Sequence, residues 1–254
     1  MRRLFATALM LSLFMICSCT HKELCLHHPH DGKVRVDFDW VGAPEADPAG
    51  MCVFFYPVEG GQPRRYDFNG MTGGEIKITV GHYMVMCYNN DTEGVLFRGK
   101  NDFCCHEAYT RDGNIFEPVF GNGYAPPSKP GTGEERVVIT PDMMWGSIAT
   151  EVELTDSGIC YTCSTMRGEA ERIISDEFVI TLYPTELTCI YTYEIRNVKN
   201  LKHATQMCAT ISGMAGGINL SSQELHDESV TLPLESSFDK VSTITGRFIT
   251  FGHH

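Results

Sequence analysis

The chain has 254 residues, 32 acidic against 20 basic side chains, a net charge of −12 and 11 cysteines. With no basic cluster beyond Arg64-Arg65 once the first 18 residues are set aside, it lacks the cationic footprint that nucleic acid or an anionic lipid surface demands. The length suits one or two domains, with a core that needs no disulfide staples.

Residues 1–18 read as a leader. Arg2 and Arg3 precede thirteen uncharged residues, Leu4 to Ile16, in which only Thr7 and Ser12 are weakly polar. A spanning helix needs about 20 apolar residues, so a basic start before this shorter run predicts a secretory signal and not a membrane span. Ile16-Cys17-Ser18-Cys19 has the order of a bacterial lipoprotein cleavage site: aliphatic, variable, small, cysteine. Cleavage before Cys19 leaves its thiol and new amino group for acylation. Cys17 does not fit, because bulky Ile16 occupies the position before the cut. Cys19 is therefore the expected lipidation site. Several acyl chains hold a membrane stably where one binds only marginally.

Residues 19–32 follow as a polar tether. Within it, Cys25, His27, His28 and His30 are of the types that ligate zinc or copper. Nothing around them supplies a supporting shell, so the simpler account is a tether with incidental histidines, and no metal is expected.

From Lys33 the pattern has period two. Val34, Val36, Phe38 and Trp40 alternate with Arg35, Asp37 and Asp39, as in a half-buried strand. Met51 to Tyr56 is an apolar run stopped by Pro57, with V-E-G-G-Q-P as turn. Short strands are expected at 65–68 and 76–80. Tyr83 to Tyr88 is apolar on both faces and predicts a central strand. Strands at 95–98 and 103–109 complete the first set. Residues 121–135 contain Gly121, Gly123, Pro126, Pro127, Pro130, Gly131 and Gly133; no regular element forms cheaply there, and this is the expected boundary between domains 33–120 and 136–254.

The second half repeats the style, with strands expected at 137–140, 145–154, 177–183, 205–211, 229–234 and 241–251. Arg167 to Ser175 is the one stretch with a helical leaning. Leu187, Cys189, Tyr191, Tyr193 and Ile195 form the clearest alternating face. Many short strands at about 8–12-residue spacing, separated by Gly and Pro turns, argue for β-sandwiches.

Setting aside Cys17 and Cys19, nine cysteines remain, an odd number that cannot all pair within one chain. Cys52, Cys87 and Cys189 lie within apolar runs and are expected to be buried, inert thiols. Cys160-Tyr161-Thr162-Cys163 is a C-x-x-C, but on a strand its two thiols diverge; vicinal Cys104-Cys105 diverges likewise. No G-x-S-x-G, H-E-x-x-H or Gly-rich phosphate loop occurs. No catalytic residue or cofactor is expected, and the chain does not read as an enzyme.

The stretch G-G-E-I-K-I-T-V-G-H-Y-M-V-M-C-Y-N-N-D-T-E-G-V-L-F-R-G, residues 73–99, resembles a known family. So do Y-T-Y-E-I-R-N-V-K-N-L at 191–201 and I-S-G-M-A-G-G at 211–217. These segments are similar to the fimbrillin-associated lipoproteins of Bacteroidales and a neighbouring group of Bacteroides lipoproteins. The resemblance implies an all-β fold of two tandem transthyretin-like or immunoglobulin-like β-sandwich domains behind the lipidated cysteine, which carries over to Cys19 alone. It also implies an anchor or accessory subunit of a fimbria or cell-surface assembly, held at the outer membrane by lipid and facing the cell surface or the periplasm.

The expected partners are fimbrial subunits, bound by pairing at a strand edge, and the membrane through its lipid anchor; nucleic acid is not among them. The alternative is a surface glycan-binding lipoprotein, which needs exposed aromatic platforms, and Trp40 and Trp145 are the only tryptophans. The family usually continues past the equivalent of Gly252. The second sandwich is therefore expected to be incomplete at its C-terminal end, with an unpaired edge beside exposed apolar side chains, and to open more readily than the first.

Overall fold

The computed structural model describes residues 31–114, 135–164 and 170–253, which fold as β-strands with two short 3-10 turns among them. The leader 1–18, the tether through His30, residues 115–134 and residues 165–169 lie outside the described residues. So do Cys19, Cys25, His27, His28 and His30.

Strand β1 (Asp31–Phe38) buries Val34, Val36 and Phe38 on one face and exposes Lys33 and Arg35 on the other. It ends there for a local reason. The Asp39 carboxylate accepts the Val41 N–H at 2.9 Å and caps the 3-10 turn Trp40–Gly42. Trp40 thus leaves the face it was expected to share with Phe38. It lies half-buried, its Nε1 donating to the Met71 carbonyl at 2.9 Å.

The central sheet is built around β2 (Gly50–Pro57) and β5 (Gly81–Asn89), both apolar on two faces. On one side of this pair stands β3 (Arg64–Asn69); on the other are β9 (Trp145–Leu154), β10 (Ile159–Ser164) and β11 (Ala170–Ser175). The order is β11-β10-β9-β5-β2-β3, with the two-residue β13 (Thr185–Glu186) against the start of β9. One face, carrying Met51, Val53, Phe55, Val85 and Cys87, packs with β1, β4 (Gly74–Thr79) and β12 (Val179–Leu182), a sheet of order β12-β1-β4. The opposite face carries Cys52, Phe54, Tyr56, Met86 and Tyr88. It packs with β6 (Val95–Arg98), β7 (Glu107–Thr110) and β16 (Gly217–Asn219). Burying one such large side chain contributes roughly 1.5–3 kcal/mol, so a strand buried on both faces secures two layers at once.

His106 sits in the second of these layers, wholly buried. Its Nδ1 lies 2.6 Å from the Tyr56 hydroxyl and its Nε2 3.2 Å from that of Tyr88. Phe54 meets its ring edge-on. A neutral imidazole has one donor and one acceptor nitrogen, so two tyrosine hydroxyls satisfy it fully. Burial, with Lys100 and Arg65 adding to it, pushes the His106 pKa down to about 4.

The remaining sheet comprises β14 (Cys189–Ile195), β18 (Ile244–Thr250), β17 (Ser229–Phe238) and β15 (Ala209–Ala215) in that order, with the short β8 (Arg136–Val137) parallel to β17. Val230, Leu232, Leu234 and Phe248 form its core. Phe251, three residues past Phe248, belongs to the core around β2 and β5 instead.

Two expectations are corrected, and a third meets a finding that bears on it. The helical leaning expected over 167–175 gives way, across the described residues 170–175, to strand β11, paired with β10 from Ile159↔Ser175 to Ser164↔Ala170. Ala, Glu and Arg favour helix, but intrinsic propensity is a weak preference that an available sheet edge overrides, and Ile173-Ile174 suits a strand. The expected boundary at 121–135 falls almost wholly outside the described residues, and strands on either side of it pair with one another. β9 pairs with β5, β12 runs parallel to β1, and β16 joins β7, so segments from both sides of the Gly/Pro stretch share sheets. A run of turn formers marks where local structure is costly; it does not dictate which partners the flanking strands choose. Finally, Cys189 is exposed, because β14 is an edge strand with both faces largely open to solvent.

Candidate assembly edge

Edge strands leave backbone donors and acceptors unpaired, and proteins usually blunt them with charge, shortness, proline or a bulge. The described edges here follow that rule with one exception. β3 carries Arg64, Arg65 and Asp67; β4 carries Glu75 and Lys77; β11 carries Glu171 and Arg172. β12 and β6 have four residues each. β15 shifts register between Ile211 and Met214, around a left-handed Gly213 at φ 80°.

β14 does none of this. It is C-I-Y-T-Y-E-I, seven residues without proline, in unbroken antiparallel register with β18 from Cys189↔Thr250 to Ile195↔Ile244. β18 is its sole strand partner among the described residues. Its one charge, Glu194, is paired with Arg196 at 2.8 Å, and that guanidinium holds the Glu194 carboxyl below the usual range. Such an exposed pair is worth little.

The alternation expected at 187–195 is present, but it divides two partly open faces. Tyr191 and Tyr193 share the core side with Phe248, while Thr192 and Glu194 face the other way. Ile190, Tyr191 and Ile195 are 44%, 37% and 51% exposed, although an interior strand would bury them. On the outer side, Thr192, Glu194, Thr245, Arg247, Glu235 and Ser237 are among the residues lining a depression of about 580 Å³. Sequence patterning found this strand. It missed the open edge, because alternation reports faces and is silent about lateral neighbours.

The other expected positions do not converge with β14. Cys160 and Cys163 occupy opposite faces of β10: Cys160 lies beside Arg172, whose Nε is 3.4 Å from its sulfur, and Cys163 is in the core. Cys104 and Cys105 are exposed in the turn after Asp102. Burial pushes the Cys52 and Cys87 thiols up to about 12. Trp145 is half-buried, with a buried indole N–H. No group of three or more His, Cys, Asp or Glu among the described residues could hold a metal ion. No described helix is long and apolar enough to cross a membrane.

Stacked, mainly antiparallel sheets define the class: an all-β sandwich protein. The chain belongs to the family described as "Domain of unknown function (DUF5119)", whose sequence model matches residues 18–235. It is 30% identical over 149 residues to the Bacteroides ovatus protein named "Putative fimbrium anchoring subunit Fim4B", an alignment covering 59% of this chain and 40% of that protein. The match thus spans less than half of that relative.

A crystal structure of a "putative adhesin" from Bacteroides ovatus superposes with a TM-score of 0.64 at 21% identity, over 88% of this chain and 68% of that one. The fimbrial anchor protein Mfa2 from Porphyromonas gingivalis gives 0.52 at 14%, over 89% and 74%. "Putative polysaccharide binding proteins (DUF1812)" from Bacteroides thetaiotaomicron give 0.50 at 10%, over 85% and 71%. At these identities the likeness is one of fold. The resemblance to fimbrial anchor-like proteins of Bacteroidales is met by family, curated relative and fold together.

Proposed function

We propose that this protein is an outer-membrane lipoprotein that anchors or caps a fimbria or related surface assembly, held to the membrane through acylated Cys19 after removal of residues 1–18. It binds its partner by strand addition at β14. The edge of β14, unpaired among the described residues and with its one charge already matched by Arg196, is the observation that carries this reading, since main-chain hydrogen bonds along such an edge recruit an extended segment without a deep pocket. The curated relative's name, a fimbrium anchoring subunit, supports the choice of partner. The glycan-binding alternative gains no platform from tryptophan: the Trp40 indole is engaged by Met71, and the Trp145 N–H is buried.

The test uses a Bacteroides host whose fimbriae depend on this protein. Tyr191→Lys with Ile195→Lys blocks the edge with charge at two exposed positions. The expected result is full-length, membrane-bound protein and fimbriae shed into the medium. Fimbriae retained at the wild-type level would refute strand addition at β14.

A further inference from the structure

Between β16 and β17 the chain doubles back on itself. The Asn219 side-chain oxygen accepts the Ser221 and Ser222 N–H groups at 2.9 and 3.0 Å, and Gln223 turns the chain at φ 60°. Residues 224–226 then run along the edge of β16 that β7 does not use. The Asn219 N–H donates to the Glu224 carbonyl, the His226 N–H donates to the Gly217 carbonyl, and Leu225 stands opposite Ile218. Leu225 packs against the core layer that holds Cys52 and Tyr88. The segment is a short strap over β16, pinned by the side chains of Leu225 and His226.

The His226 ring lies over Gly217, where an added Cβ would overlap it. Its side chain is 14% exposed, and its Nε2 is covered, with no hydrogen-bond partner among the described residues. The carboxylate facing it is Glu107 of β7, whose Oε2 is 3.3 Å from Nε2 but out of hydrogen-bond geometry. That oxygen already accepts the Arg98 Nε–H at 2.5 Å, from the residue opposite on β6. Glu228 is bound by both Nε and Nη2 of Arg136. Glu224 and Asp227 are exposed at the rim of the same depression, where water and salt screen them. A proton on His226 would therefore put a charge in a covered site whose nearby carboxylates are matched by arginines. Burial, with Arg98 and Arg136 adding to it, outweighs Glu107 and Glu228 and holds the His226 pKa below its ordinary value.

We propose that His226 makes residues 220–228 an acid-released cover of the β16 edge: the neutral imidazole seats on Gly217 and keeps the strap closed, and protonation draws the ring into water and frees the strap. A proton refused by the closed strap is accepted by the open one. The pin is therefore complete above pH 6.5, the ordinary histidine value, and weakens as pH falls toward the lowered one. Release bares the Gly217 carbonyl, the Asn219 N–H and the flank of Leu225, and it leaves the ladder between β16 and β7 in place. The device lies on a different sheet from β14 and does not depend on the reading of that edge.

The test is hydrogen exchange of the full chain in detergent at pH 7.5 and 5.0, corrected for intrinsic rates. The His226 and Asn219 amides report the strap. Amides of β2 and β5 report global unfolding, and so carry the separate effect of His106. At pH 5.0 protection of the strap amides is expected to fall roughly five- to thirtyfold against that reference, the upper bound being set by the ordinary histidine value. His226→Gln, which cannot titrate, should show equal protection at both pH values. Arg98→Gln, at an exposed position, leaves the Glu107 carboxylate free to attract the proton, so its strap should hold at pH 5.0. Wild-type protection that ignores pH overturns the proposal, as does acid loosening that persists in His226→Gln. If His226→Gln is loose at both pH values, Arg98→Gln decides: acid loosening undiminished in that variant overturns the proposal, and its loss upholds it.

Discussion

At the scale of single residues, burial decides chemistry. The reactive form of cysteine is the thiolate, and the Cys52 and Cys87 pKa values of about 12 leave almost none at neutral pH. Brief iodoacetamide treatment of the native protein should therefore modify Cys104, Cys105 and Cys189, all exposed, and spare Cys52 and Cys87 until denaturant is added. Peptide mass mapping reads the outcome directly. His106 makes a pH prediction. Its folded pKa of about 4 lies below its ordinary 6.5, so between these values the unfolded chain binds a proton that the folded one refuses. Its stabilising contribution is complete above pH 6.5 and is lost as pH falls toward 4, on the order of 3 kcal/mol in all. Thermal melts across this window should show that decline, and His106→Gln should flatten it. Cys19 lies outside the described residues, and its lipidation is tested by labelling: Cys19→Ala should abolish acyl incorporation while Cys17→Ala retains it. An unlipidated mature N-terminus beginning beyond Cys19 would refute the assignment.

At the scale of elements, the turns make commitments that the strands cannot. Gly73, which leads into β4, sits at φ 79°, and a Cβ there would collide with the Val36 carbonyl of β1. Both the left-handed backbone and the close approach require glycine. Gly73→Ala should cost roughly 1–3 kcal/mol, measured as a lower urea midpoint with an unchanged m-value. A comparable loss is not expected at Gly60, whose Cβ would meet nothing within 4 Å and whose penalty is the backbone conformation alone. The elements also show how patterning can mislead. β11 reads as weakly helical but pairs as a strand, and β14 reads as an inward face but stands at an edge. In each case the deciding factor is a lateral neighbour, β10 for the first and, among the described residues, β18 alone for the second.

At the scale of the whole molecule, stability should be uneven. β2, β5 and β9 pair on both edges and bury residues in two layers, whereas β14 and β15 each border solvent. Hydrogen exchange should find amides of β2 and β5 opening only with global unfolding, and those of β14, β18 and β15 opening at lower free energy. The expectation that residues 136–254 as a block are the weaker half is thereby refined: β9 and β10 lie in that block yet should exchange with the central sheet. Equal protection of β5 and β14 would show that the open edge carries no energetic cost.

The sequence by itself determined the strand-rich class, the central place of Tyr83–Tyr88, the burial of Cys52 and Cys87, and the divergence of Cys160 from Cys163. Each follows from period-two patterning, which is local and legible along the chain. Tertiary structure alone decided that β12 pairs with β1, that β9 pairs with β5 across the Gly/Pro stretch, that His106 is clasped by two tyrosines, and that β14 pairs only with β18 among the described residues. Those are facts about which segments become neighbours. Pairing partners are chosen by the packing of whole faces and by the closure of loops between them, and neither leaves a mark at a fixed spacing in the chain.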